Sequence, residues 1–252
     1  MFDFLNLKDK RILITGASSG IGRETAILLS KLGAKTILVA RDEERLKQTL
    51  GALEGAEHRY YCFDLREISG IEEFMQSIVD DCGKLDGFVH SAGVTKEMPV
   101  QLVSFDALND IMLVNFYAFM ELVRSFSKKK INNGGGSIVA LSSTLSLVGA
   151  KAMAAYCASK AALDGAIRAL AHELHSKNIR INSVVPGFVK TEMGEKYLED
   201  FGGTDHAKNM LTKQYMGAID TFHIANTIAF LLSDASLYIN GQAIPVDAGS
   251  LT

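Results

Sequence analysis

Short apolar runs alternate with amphipathic stretches along most of the chain. Arg11-Ile-Leu-Ile-Thr15 is an apolar run broken by Gly16, and beyond it Ile21, Ala26, Leu28, Leu29 and Leu32 fall at helical spacing before Gly33. Lys35-Thr-Ile-Leu-Val-Ala40 repeats the first pattern, and the charged segment from Asp42 to Gln48 repeats the second. The same order continues with a strand from Arg59 to Phe63, a helix from about Ile68 to Cys82 and a strand from Leu85 to His90. Strands that regularly alternate with helices predict parallel pairing, because each crossover helix brings the chain back to the same end of the sheet.

The second half keeps the alternation with longer helices. From Asp106 to about Lys130 the residues Leu108, Ile111, Met112, Val114, Phe116, Phe119, Leu122 and Val123 cover much of a helix circumference, so this helix is expected to be buried on two sides. Asn132-Asn-Gly-Gly-Gly136 reads as a loop before a strand at Ser137 to Leu141. A helix carrying Tyr156 is expected to run to about Ser176, followed by a strand from Ile179 to Val185 that ends at Pro186-Gly187. Residues 190–218 lose the alternation, contain Met193, Gly194, Gly202, Gly203, Met210 and Met216, and read as a substrate lid of short helices. A helix from Thr221 to Leu232 and a seventh strand from Gly241 to Asp247 close the chain. The expected fold class is α/β, a single domain over 1–252 with a doubly wound parallel seven-stranded sheet and helices on both faces.

Composition narrows the function classes. The chain has 252 residues, 48% hydrophobic and 22% charged, with a formal charge of -3 and a mean hydropathy of +0.13. That balance suits a globular domain with a large core and offers no basic excess for nucleic acid. The Lys128-Lys-Lys130 run reads as a solvated helix end. Cys62, Cys82 and Cys157 are odd in number and lack metal-ligand spacing, which points to a reducing compartment rather than disulfides or zinc. His172 and His175 do not have the i, i+4 spacing of a metalloprotease helix. No apolar run reaches the ~18 residues of a membrane span, and the first ten residues lack a signal-peptide core. A cytoplasmic protein is the expectation.

Two clusters carry chemistry. Thr15-Gly-Ala-Ser-Ser-Gly-Ile-Gly22 follows a strand and opens a helix. Gly16 suits the tight turn, Gly20 lets backbone approach a pyrophosphate, Gly22 lets the helix pack on the sheet, and Ser18, Ser19 and Ile21 complete the cradle. The helix N-terminus supplies the positive field, so dinucleotide binding is expected here. At the end of the second strand NAD enzymes usually carry a carboxylate for the ribose hydroxyl, but this chain has Ala40 followed by Arg41. A guanidinium can pair with a 2′-phosphate, so NADP(H) is the expected cofactor. The alternative is an arginine paired with Asp42 or Glu44 at the helix entry.

The second cluster is Ser143 to Lys160. Tyr156 and Lys160 share one helix face, and an ammonium beside a phenol whose ordinary pKa is ~10 should lower it toward the neutral range. Ser143, after the run Ile138 to Leu141, can bring a hydroxyl to the same point. Such a site can polarise a carbonyl and protonate it.

The combination of Thr-Gly-x3-Gly-x-Gly, Ser-x12-Tyr-x3-Lys and Pro186-Gly187 resembles the short-chain dehydrogenase/reductase family over essentially the whole chain, and is most similar to 3-oxoacyl carrier-protein reductases. The resemblance implies a Rossmann fold and an NADP(H)-dependent oxidoreductase acting on a ketone or secondary alcohol. Hydroxysteroid and sugar dehydrogenases share the motifs, and a catalytically silent NADP(H) sensor or scaffold is the alternative of another class. It further implies that Asn115 completes a proton relay with Ser143, Tyr156 and Lys160, the last two also contacting the cofactor. Asp64 and Leu65 would meet the adenine, Ala92 and Gly93 the ribose, and Pro186, Gly187, Val189 and Thr191 the nicotinamide side. Ser91 departs from the family's usual asparagine. A homotetramer is implied, consistent with the apolar helices, along with a small-molecule substrate and neither nucleic acid nor membrane as partner.

Overall fold

The apolar runs pair side by side into one parallel sheet in the order β3-β2-β1-β4-β5-β6-β7. The computed structural model describes residues 5–201 and 212–252. Its strands are β1 (Arg11–Thr15), β2 (Lys35–Ala40), β3 (Arg59–Cys62), β4 (Leu85–His90), β5 (Asn132–Leu141), β6 (Ile179–Pro186) and β7 (Ala243–Val246). The helices are α1 (Gly20–Lys31), α2 (Glu43–Leu50), α3 (Ile71–Cys82), α4 (Phe105–Met112), α5 (Ala118–Phe126), α6 (Leu145–Val148), α7 (Ala154–Leu174), α8 (Glu192–Phe201) and α9 (Thr221–Leu232). The strand order reverses between β1 and β4, and in such sheets the crevice beyond the carboxyl ends of the strands at that point receives ligands.

Burial on both faces explains why the strands read as continuous apolar runs. Leu13 and Ile37 face α3, α5 and α7 through Met75, Phe119 and Leu163. Their neighbours Ile12, Ile14 and Leu38 face α1, α2 and α9 through Leu29, Leu46 and Ile228. Phe88 and Phe126 meet edge to face, 5.5 Å apart, where β4 packs on α5. The doubly wound architecture expected from the pattern is the one found.

Two expectations need correction. The helix expected from Asp106 to Lys130 is interrupted by a π-helical turn at Leu113–Tyr117 and ends at Phe126. Periodicity alone cannot register such a turn, because the residues on either side still alternate at helical spacing. The loop expected at Asn132–Gly136 is instead the start of β5, with a register slip opposite β4 between Leu85 and Gly87. Glycine is needed there because a Cβ on Gly136 would stand 2.3 Å from the Asp86 carbonyl. A 3-10 turn at Ile68–Gly70 precedes α3, and β3 and β7 are shorter than expected.

In the expected lid, α8 is described, whereas Gly202, Gly203 and Met210 lie outside the described residues. The excursion is pinned at its base, where Val189 bridges Ile219 and the Lys190 amide donates to the Ile219 carbonyl at 2.9 Å. Among the described residues, no helix is long and apolar enough to cross a membrane.

Candidate active site

The glycine-rich turn between β1 and α1 stands at the sheet's reversal point. Gly16 has φ +68, and a Cβ there would come within 2.8 Å of the Ala92 amide nitrogen. At Gly22 a Cβ would meet the Gly16 carbonyl oxygen at 2.3 Å. Only glycine allows these approaches, which pull α1 onto the turn and bring β1 and β4 together at their carboxyl ends. Ser19 is the N-cap of α1 in an extended conformation, with its side chain making no capping bond. The first-turn amides are thus left for an anion, as a bound pyrophosphate requires. These observations fit a dinucleotide.

A cavity of about 300 Å³ opens beside this turn, lined by Gly16, Ser18, Ser19, Gly20, Ile21, Ala92, Gly93, Ser143, Tyr156, Lys160, Pro186, Gly187, Val189 and Thr191 among others. An adjoining cleft shares Gly16, Ser18, Ser19 and Ala92 and continues past Ala40, Arg41, Asp64 and Leu65. The chain therefore brings the residues expected at a cofactor's two ends along one continuous surface. Gly22 and Asn115 are absent from that lining and act from behind it. Leu145, Met153, Phe188 and Met193 form apolar wall on the reaction side, with Thr95, Glu97 and Tyr197 as polar lining the sequence did not single out.

The reactive groups converge from separate elements. Ser143 and Tyr156 line the same cavity; the Ser143 hydroxyl lowers the pKa of the phenol and accepts from the Leu145 amide at 3.2 Å. Lys160 is 4% exposed, and its Nζ donates to the Leu141 carbonyl at 2.6 Å and lies 5.8 Å from the Tyr156 ring centroid. Burial pushes the Tyr156 phenol up to about 12, against the nearby Ser143 hydroxyl, which lowers it. This reverses the expectation that Lys160 brings the phenol toward neutrality, because removing the phenolate from water costs more than its neighbours return. The phenol is therefore protonated at neutral pH and able to give a proton. Burial also pulls Lys160 down to about 8, opposed by the Asp164 carboxylate.

Asn115 is fully buried inside the π turn. Its Oδ1 accepts from the Val94 amide at 2.8 Å, and its Nδ2 donates to the Val94 carbonyl at 3.0 Å and to Ser159 Oγ at 2.9 Å. The added residue of the turn lets one amide join the loop after β4 to α7. A Cβ on Gly93 would be 3.5 Å from both Asn115 Oδ1 and Lys160 Nζ, so both groups crowd that glycine.

His90 escaped the sequence reading because a histidine ending an apolar strand carries no motif. It is fully buried, and burial, followed by the Lys160 charge, lowers its pKa to about 3. The Val114 carbonyl, 3.2 Å from Nε2, can only accept, so the neutral ring donates there and takes the Thr15 hydroxyl at Nδ1, also 3.2 Å away. Thr15 in turn accepts from the Ala92 amide at 3.2 Å. The ring thus couples β1, β4 and the π turn beneath the cleft.

At the far end Arg41 is not paired with Asp42 or Glu44. Its Nη1 lies 3.8 Å from Asp64 Oδ2, and its side chain is 59% exposed. Asp42 instead caps α2 by accepting from the Arg45 amide at 3.1 Å. Asp64 also lies 3.6 Å from Arg66 Nη1, and Arg45 pairs with Glu192 on α8. Arg45 and Arg66 line the same cleft and were not anticipated. His172 and His175 are exposed on and after α7.

The profile of the family described as enoyl-(acyl carrier protein) reductase matches residues 16–250. The 3-oxoacyl-(acyl-carrier-protein) reductase FabG of Rickettsia felis is 34% identical over 248 residues, which is 98% of this chain and 99% of the relative. A crystal structure from Sinorhizobium meliloti 1021, of a protein assigned as a short-chain alcohol dehydrogenase, superposes with a TM-score of 0.92 at 32% identity and covers 99% of each chain. A single-residue variant of actinorhodin polyketide ketoreductase, solved with NADPH, superposes with a TM-score of 0.89 at 28% identity, over 96% of this chain and 97% of the other. With its sheet, its glycine turn and its serine, tyrosine and lysine gathered in one cleft, the chain belongs to the short-chain dehydrogenase/reductase family and is an oxidoreductase acting on CH–OH and C=O groups with a nicotinamide cofactor.

Proposed function

We propose that this protein is an NADP(H)-dependent ketone reductase working through Ser143, Tyr156, Lys160 and Asn115. The observation that carries the reading is that Ser143, Tyr156 and Lys160 line one cavity together with the glycine turn. The cofactor, when bound, would supply the hydride, and Tyr156 and Lys160 would hold its ribose. Ser143 donates to the carbonyl oxygen, and the protonated Tyr156 gives that oxygen its proton. Lys160 keeps a positive charge near the phenol as the proton leaves, and Asn115 holds the π turn behind Lys160 as part of the relay that replaces the proton.

The apolar wall of Leu145, Met153, Phe188 and Met193 favours a substrate with an aliphatic body, and α8 acts as the substrate lid. The first relative's name makes a 3-oxoacyl thioester the first substrate to test. NADPH oxidation is to be followed with 3-oxoacyl thioesters, hydroxysteroid ketones, ketoses and a 2-enoyl thioester. Turnover of any ketone supports the reading, whereas turnover of the enoyl thioester alone, or binding without turnover, defeats it.

The preference for NADP(H) rests on Arg41. A hydrogen bond to a charged group is worth roughly 1.5 to 3 kcal/mol, so Arg41→Ala should weaken NADPH binding about ten- to a hundred-fold and change NADH binding much less. Titration of both cofactors into both proteins measures this. Equal losses, or a wild-type preference for NADH, would show that Arg41 does not read the phosphate.

The free state of all cysteines suits a reducing cytoplasm. Exposed Phe105, Leu108 and Tyr117 along α4 and the π turn, with the family resemblance, support a homotetramer. Light scattering should give four times the chain mass at micromolar concentration, and a monomer there would defeat the assignment.

A further inference from the structure

A buried carboxylate lies directly behind the reactive groups. Asp164 is 4% exposed and stands one helical turn after Lys160 on α7. Its Oδ2 accepts from Ser142 Oγ at 2.6 Å and Ser146 Oγ at 2.8 Å, and its Oδ1 from Ser183 Oγ at 2.7 Å. Nothing in the reaction described above uses it. Holding a carboxylate away from water is costly even when hydroxyls satisfy it, and apolar side chains could fill the same space at no such cost.

We infer that Asp164 is a positioning residue, which through Ser142 and Ser146 holds the end of β5 so that Ser143 meets Tyr156. Successive turns of α7 grip successive residues of that strand end. Lys160 takes the Leu141 carbonyl at 2.6 Å, and Asp164 takes the Ser142 hydroxyl. Ser143 is the next residue, and it lines the cavity with the Tyr156 phenol. On its other side Ser146 in α6 is tied to the same carboxylate oxygen. The carboxylate thereby fixes both flanks of Ser143 to the helix that carries Tyr156, while Ser183 anchors its other oxygen to β6. A second effect is electrostatic. The groups around the Lys160 ammonium are Tyr156 and Asp164 on its own helix, the neutral His90 on β4, the Leu141 carbonyl on β5 and Asn115 next to Gly93. Asp164 is the negative one among them and holds the lysine pKa up against burial.

The inference rests on Ser143 and Tyr156 acting as proposed, and the test separates the two. Asp164→Asn keeps the shape and removes the charge. With the best ketone from the substrate panel its kcat should fall about ten- to a hundred-fold, as expected for a displacement on the order of 1 Å, with the KM for NADPH unchanged. The alkaline limb of kcat/KM, near about 8 in the wild type, should move to lower pH, because the lysine loses the carboxylate that raises it. Ser142→Ala should lower kcat similarly with the limb in place, and Ser183→Ala should lower it clearly less, because Ser183 touches the oxygen facing β6 and not the one that holds the flanks of Ser143. A purely structural role would lower Tm in Asp164→Asn while leaving kcat and the limb as in the wild type, and that result overturns the inference. Should Asp164→Asn not fold, the serine pair decides: wild-type kcat in Ser142→Ala, or equal losses in both, overturns it. Retained turnover in Tyr156→Phe would instead sink the reading of the site itself.

Discussion

Tyr156→Phe should lose turnover by about 10²- to 10⁴-fold, the range a positioned general acid contributes, while binding NADPH within several-fold of the wild type. Only the phenolic oxygen is removed, and the ring continues to line the cavity with Lys160 Nζ 5.8 Å from its centroid. Stopped-flow reduction of a ketone, alongside a fluorescence titration with NADPH, separates the two effects. Retained catalysis would rule out the phenol as donor. The pH dependence has a definite sign. With the phenol at about 12 and Lys160 at about 8, the form that reduces a carbonyl has both groups protonated, so kcat/KM for reduction should decline as pH rises above about 8. An increase across that range would contradict the assignment.

Gly22→Ala should damage both fold and cofactor site. The added Cβ would meet the Gly16 carbonyl oxygen at 2.3 Å and the Gly16 carbonyl carbon at 2.8 Å, and these are backbone atoms that cannot rotate away. The first turn of α1 must therefore move outward, which disturbs the seating of a helix whose own Ala26 and Leu29 are fully buried in the core. Overpacking of this kind costs about 1 to 3 kcal/mol, to be read as a lower midpoint in urea. Because the displaced turn is the one that presents its amides to the cleft, NADPH affinity should drop by tenfold or more even where the variant remains folded. Wild-type affinity in a destabilised variant would mean that the α1 amides do not hold the pyrophosphate.

Much of this site could be read from the chain because its chemistry depends on local spacing. Gly16, Gly20 and Gly22 must fit one turn, and Tyr156 and Lys160 must share a helix face, so each requirement leaves a pattern within a few residues. The alternation of apolar runs with helices likewise determined a parallel sheet, since each strand is buried on both faces and each crossover needs a helix. The order of the strands, and hence the meeting of residues 16, 92, 143 and 187 in one cavity, belongs to the tertiary structure. The π turn around Asn115 and the start of β5 at Asn132 were decided there as well, because both arise from contacts with distant backbone, at Val94 and Asp86, that no local period records. The same holds for charge. Sequence spacing set Lys160 beside Tyr156, but burial overcame that proximity and left the phenol protonated. Asp164 and His90 carry no motif at all: their roles come from three serines and a threonine delivered by other elements of the fold. A buried polar group takes its function from its partners, and those partners are chosen by the fold.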